Sequence, residues 1–255
     1  MGLPDAFGFE SWSAFYQDEL QAVWALLPVP LLFVLWRVLR PVPPNAGAEA
    51  SAAPFMERYA VAFGILTMVD PLVTGVLARV AGLGEASGTA LMLLFVLLGD
   101  WRVFVLLERL WGRESRFGAV AQRAALWTCV VPVLAFALYR LLRVFDPELP
   151  AQALWLVYES LFVGLALTLR ARLSRRETLQ DKPALQGYLR LVLAYVAVYY
   201  GLWALSDVLI LSGQDFGWAL RLVPNQLYYA FYVPFVWLAF FSGRYAVTPL
   251  GLEAR

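Results

Sequence analysis

The chain has 255 residues, of which 61% are hydrophobic and 15% charged, with a formal net charge of +1 and a mean hydropathy of +0.66. That balance leaves no stretch for a separate soluble domain, and no nucleic-acid partner is expected. The absence of histidine excludes histidine-ligated haem, histidine-based zinc sites and Ser-His-Asp catalysis.

Residues 1–21 carry Asp5, Glu10, Asp18 and Glu19 without a basic residue, so the positive n-region of a cleavable signal peptide is missing. Trp12, Phe15 and Tyr16 alternate there with polar residues, which suits either an interfacial helix on the outer leaflet or a loosely ordered tail. From residue 22 onward the pattern changes. About 20 mostly apolar residues cross a bilayer, and such stretches recur seven times: Ala22–Leu39, Tyr59–Leu83, Gly88–Trp111, Ala124–Leu142, Ala151–Leu169, Gln186–Leu211 and Phe216–Phe241. The expected fold is therefore all-α, a bundle of seven transmembrane helices over residues 22–242 followed by a short tail over 243–255. Pro41 to Pro54, with four prolines, reads as a flexible connection. No internal repeat is visible.

Basic residues set the orientation. With the N-terminus outside, Arg79, Arg140, Arg143 and Arg221 fall on the external side and Arg102 inside the membrane, leaving fifteen of the twenty Lys and Arg for the cytoplasmic side. A fifteen-to-four bias predicts N-out and C-in, in a plasma (inner) membrane.

The single Cys129 forms no intrachain disulfide and reads as an inert packing residue in an apolar setting. Lys182 is the only lysine and lies in a connection, so no Schiff-base residue is available within a span. No glycine-rich phosphate loop or dinucleotide fingerprint occurs. No cofactor, metal site or catalytic constellation is expected.

What remains informative is the set of polar residues inside the spans, where an ionised group is costly and marks a functional site by default. Asp70 lies midway along the second span, and Asp100 and Arg102 midway along the third. Glu159, Asp207, Arg221 and Asn225 fall in the outer half of spans five to seven. Arg221, Asn225, Tyr228 and Tyr232 follow a helical stripe with Tyr229 beside it, a polar-aromatic face directed at protein. Asp100 and Arg102 point about 200° apart, so Arg102 is expected to pair across to another helix, with Asp70 as the partner. The competing interpretation makes these groups structural: an Asp70–Arg102 ion pair, snorkelling of Asp207 and Arg221, a Pro71 kink, and interfacial anchoring by Trp24, Trp36, Trp111 and Trp237.

Four carboxylates (Asp70, Asp100, Glu159, Asp207) against two guanidiniums leave a formal excess of two acids. That surplus calls for protons, a bound cation or a cationic group on a ligand. Three functional classes fit. One is a proton- or cation-coupled transporter or channel-like protein. Another is a membrane enzyme that protonates an isoprenoid or lipid, in the manner of terpenoid cyclases. The third is a heptahelical sensor or assembly subunit. The expected partners are the bilayer and a small hydrophobic or cationic ligand.

Overall fold

Every regular element among the described residues is helical. The computed structural model describes residues 8–18, 23, 25–40, 48–112 and 116–242. Asp5, Glu19, Trp24, residues 41–47 of the proline-rich connection, Arg113 and the tail 243–255 lie outside the described residues, as do the side chains of Ala50, Arg79 and Glu85.

Local sequence accounts for the helix boundaries. α1 (Trp12–Tyr16) starts at Ser11, whose hydroxyl accepts the Ala14 amide. The Trp12 and Ser13 amides donate to the Asp215 carboxylate at 2.8 and 3.2 Å, an acid placed where helix amides are unpaired. α2 (Pro28–Leu39) and α3 (Ala53–Pro71) carry proline in their first turn, where its missing N–H costs nothing. After Pro71 the chain widens into a π-helical stretch, Leu72–Leu77, and ends as α4 (Ala78–Val80). α5 (Glu85–Trp111), α6 (Phe117–Phe145), α7 (Gln152–Arg172) and α8 (Pro183–Leu211) are long rods. α9 (Phe216–Asn225) contains Pro224 and runs into a second π-helical stretch, Gln226–Phe231, followed by α10 (Tyr232–Phe241).

Among the described residues, five helical runs are long and apolar enough to cross a membrane: Ala53–Leu77, Ala86–Trp111, Phe117–Phe145, Gln152–Arg175 and Pro183–Leu211. At about 1.5 Å per residue each exceeds the roughly 30 Å hydrocarbon core. Their outer faces suit lipid tails: Leu126, Val133, Phe136 and Leu141 on α6 and Val198 and Leu205 on α8 are all exposed. The chain thus has the helices of an integral membrane protein. The first expected span is represented by the 12-residue α2, and the last is divided into α9, a π stretch and α10. Several helices overrun the hydropathy boundaries by a turn or more. Arg58, Arg123 and Arg172 are good helix formers even where they end an apolar stretch.

α5 is the central rod, with every residue from Arg102 to Glu108 buried. A helix buried on all faces has to be apolar nearly all round, and Val103 to Leu107 supply that. α3, α6, α7, α8 and the second π stretch surround it. α8 and α9 form a tight hairpin. Gly213 takes a left-handed φ of 81° in its turn, and a Cβ on Gly217 would stand 2.8 Å from the Ser206 carbonyl oxygen, so only glycine admits this approach.

At the end of the bundle carrying connection 112–116, buried charges are locked by indoles. Glu108 Oε1 accepts from Trp111 and Trp127, both at 3.1 Å, and its Oε2 from Arg123 at 3.0 Å. Glu57 accepts from Trp237 at 3.1 Å and from Arg37 at 3.3 Å. Trp111 and Trp237 are therefore buried structural partners, which corrects their reading as interfacial anchors. Cys129 is exposed on α6, which corrects the expectation that it packs inside.

Candidate functional site

A cleft opens at the other end, where α1 and the connection 146–151 lie. Two chambers compose it, about 510 and 290 Å³ in volume, and both are lined by Tyr16, Met92, Asn225 and Tyr229. The larger is walled by Asp70, Pro71, Thr74 and Gly75 from α3 and the first π stretch. The smaller is walled by Glu159, Trp155, Tyr158, Trp203, Trp218 and Arg221 among others.

The α8–α9 hairpin places Asp207 against Arg221, and the two side chains form a direct charge-assisted hydrogen bond. Glu159 on α7 is 3.6 Å from the same guanidinium. Asp207 is fully buried and Glu159 nearly so. This overturns the view of Asp207 and Arg221 as snorkelling side chains: the guanidinium turns inward because two carboxylates converge on it. Tyr16 closes the group from above. Its hydroxyl accepts from Asn225 Nδ2 at 3.2 Å and Arg221 Nε at 3.4 Å, and its ring lies 5.3 Å from Trp218. Asn225 Oδ1 accepts from Trp203 at 2.9 Å. Two carboxylates share one guanidinium, and the Gln152 amide and the Glu159 carboxyl both lie against Asp207, all three buried.

Deeper in the bundle, Asp100 is fully buried, and each carboxylate oxygen accepts a hydrogen bond, one from Tyr158 and one from Tyr200. It lines neither chamber. Arg102 points elsewhere, as two residues of helix require. It donates to Thr67 Oγ1 at 3.1 Å and to the Tyr228 carbonyl, with its guanidinium over the Tyr228 and Tyr232 rings at 4.3 and 4.5 Å. The expected Asp70–Arg102 ion pair is absent among the described ion pairs. Instead both residues border a cavity of about 10 Å³, close to the space one water needs. Asp70 thus faces the large chamber on one side and the Arg102 cavity on the other.

Both π stretches border the cleft, and their irregular turns leave carbonyls for other donors. Leu227 C=O accepts from Tyr195 at 2.8 Å, and Tyr228 C=O from Arg102. Thr74 returns its hydroxyl to the Asp70 carbonyl at 2.8 Å. Wide π turns occur often at functional sites.

Of the residues singled out from the sequence, Asp70, Glu159, Arg221, Asn225, Tyr228 and Tyr229 line the cleft. Asp207 stands directly behind it, and Asp100 and Arg102 lie beneath. The sequence gives no comparable signal for Tyr158, which resembles any aromatic residue in an apolar run, or for the return of Tyr16 to residues some two hundred positions away. Among the described residues no group of three or more His, Cys, Asp or Glu side chains is arranged to hold a metal ion. Comparison with protein-family models, with curated proteins and with solved structures finds no match.

Proposed function

We propose that the protein is a proton- or cation-coupled transporter of a small solute, with the cleft as its outward-facing binding site and Asp70 as the coupling carboxylate. In this reading α2 and the α9–π–α10 run act as the first and last of seven spans, the N-terminus is external and the C-terminus cytoplasmic, in the plasma membrane. The fifteen-to-four distribution of basic residues supports that orientation, and the three last segments of 10, 6 and 10 residues are together long enough to cross.

The observation that carries the proposal is that two walls of the cleft are helices in which a proline is followed by a π stretch. Pro71 stands directly before the first stretch and Pro224 just before the second. Prolines and π bulges are where helices bend. Bending there moves Asp70 relative to Asn225, Tyr228 and Tyr229, so occupancy of the cleft can be tied to its opening. Asp70 is also the acid placed to choose between a cation in the chamber and Arg102 behind it.

The test is flux in liposomes reconstituted with purified protein. A pH gradient should drive uptake of protons or a cationic solute; Asp70→Asn should abolish the coupling, and Asp100→Asn should chiefly lower stability. Absence of any proton or cation flux from folded wild-type protein would overturn the transport reading. The membrane-enzyme reading has its own support in the dense aromatic wall beside Glu159. It takes over if the same preparation converts an isoprenoid or lipid extract while moving nothing.

A further inference from the structure

Within the cleft the smaller chamber has a chemistry of its own. Its wall presents the rings of Trp155, Tyr158, Trp203, Trp218, Tyr228 and Tyr229, whose faces are electron-rich and attract cations. These rings are held in place by one another: Trp155 and Tyr158 meet edge to face at 5.8 Å and Tyr228 and Tyr229 at 4.7 Å, while Trp203 and Tyr228 lie tilted at 5.1 Å. Trp203 is further fixed by its hydrogen bond to Asn225.

Beside the rings stands an unbalanced charge. Glu159 and Asp207 carry two negative charges when ionised, and Arg221 supplies one positive charge, directed chiefly at Asp207. Glu159 lines the chamber, is only 3% exposed, and lies against the Asp207 carboxyl as well as the Arg221 guanidinium. Two carboxylates held together repel one another when both are ionised. A cation in the chamber would offset the negative charge that Arg221 leaves. At about 290 Å³ the space stands at the small end of small-molecule sites, roughly 300–1,000 Å³. Arg37 shows the protein using the same pairing of a cation with rings, its guanidinium lying 4.1 Å from the Trp237 ring centre.

We infer that the smaller chamber is a site for a small organic ammonium ion, with the positive nitrogen against Glu159 and its carbon substituents among the tryptophan and tyrosine rings. The inference rests on reading the cleft as a solute-binding site and names the class of solute. Metal cations fit less well, because rings fill most of the wall and hard cations need several oxygen ligands.

Binding is tested on the full chain in lipid nanodiscs, by titrating tetramethylammonium, butylammonium and the neutral shape analogue 3,3-dimethylbutanol while following tryptophan fluorescence and heat. One or both ammonium ions should bind saturably and the alcohol at least tenfold more weakly; the better of the two probes tells whether direct donation to Glu159 or ring contact dominates. Glu159→Gln should weaken ammonium binding by tenfold or more. Trp155→Leu, which leaves all charges in place, should weaken it by about three- to thirty-fold and serves as the second variant if the first does not fold. Equal binding of the alcohol, no saturable binding by folded wild type, or ammonium binding unchanged in either variant overturns the inference. The liposome assay separates the two ideas: proton flux through Asp70 without ammonium binding removes this inference alone, whereas ammonium binding without flux leaves the site and removes transport.

Discussion

Replacing Gly99 by alanine tests how the floor of the cleft is built. A Cβ at this position would stand 1.8 Å from Tyr228 Oη and 2.6 Å from its Cζ, whereas real Cβ contacts do not fall below 3.0 Å. The tyrosine therefore has to retreat, and the only room beside it is the smaller chamber that it lines. Its ring lies under the Arg102 guanidinium at 4.3 Å, against Trp203 at 5.1 Å and Tyr199 at 5.4 Å, and its hydroxyl donates to the Val96 carbonyl at 3.3 Å. Overpacking of this kind costs about 1–3 kcal/mol, and the lost hydrogen bond about 0.5–1.5 kcal/mol. Alanine returns about 0.5–1 kcal/mol as the better helix former. The expected net loss is about 2 kcal/mol. Gly164, mid-helix on α7 with no atom within 4 Å of an added Cβ, is the control: alanine there should stabilise by up to about 1 kcal/mol. Unfolding of the detergent-solubilised variants measures both, and Tyr228→Phe in the Gly99→Ala background should recover part of the loss by removing the closest atom. If Gly99→Ala stabilises as Gly164→Ala does, Tyr228 is not packed against α5 as described.

Three further outcomes follow from individual contacts. Tyr158→Phe and Tyr200→Phe each remove one donor from Asp100 and should each cost about 1.5–3 kcal/mol; the double variant should depart from additivity, and strict additivity in unfolding measurements would refute a shared carboxylate. Asp70→Asn and Arg102→Met should be coupled by at least about 0.5 kcal/mol across the small cavity between them, checked by a double-mutant cycle on stability. Outside the spans, partial burial raises the Glu49 carboxyl, but the Ser51 hydroxyl at 2.9 Å and the Lys182 ammonium at 3.2 Å outweigh it and hold it below the ordinary 4.5. A folded-state pKa below the unfolded one stabilises above that ordinary value, and the gain is lost as pH falls through the lowered one. Stability should thus fall by up to about 1 kcal/mol below roughly pH 4.5, and Lys182→Met should shrink that increment.

How far the sequence leads depends on whether a residue's neighbours are set by helical period or by tertiary path. The period places Arg221, Asn225 and Tyr228 on one face of α9 and its continuation, and all three line the smaller chamber. Asp207 and Arg221 lie on either side of a short turn with Gly213, so their meeting is a local consequence of a hairpin. Period also places Tyr228 and Tyr229, three and four residues after Asn225, on one broad face, and both line the same chamber across the second π stretch. Tyr16 is invisible to any periodic argument, because its position follows from Asp215 capping α1 from the far end of the chain. The Asp70–Arg102 pair illustrates the opposite error. Both residues border one small cavity, yet Arg102 turns to Thr67 and to the Tyr228 carbonyl in the second π stretch.

The buried charges at the two ends of the bundle differ in how completely they are answered, and that contrast separates structure from site. Glu108 has three donors for its two oxygens, and Glu57 holds Arg37 and Trp237. Among these groups only Arg37 Nε lacks a hydrogen-bond partner, and that guanidinium is covered by the rings of Trp36 and Trp237. At the cleft, Glu159 and Asp207 share one guanidinium and lie against each other, with the Gln152 amide beside Asp207. Folding alone does not favour two buried carboxyls in contact, since like charges at this distance repel. An apolar substitution at Glu159 should therefore make the empty protein more stable if the carboxylate serves only a ligand. Glu159→Leu raising the unfolding midpoint while removing ammonium binding would place Glu159 with the ligand; a lowered midpoint would return it to the Arg221 network as a structural member.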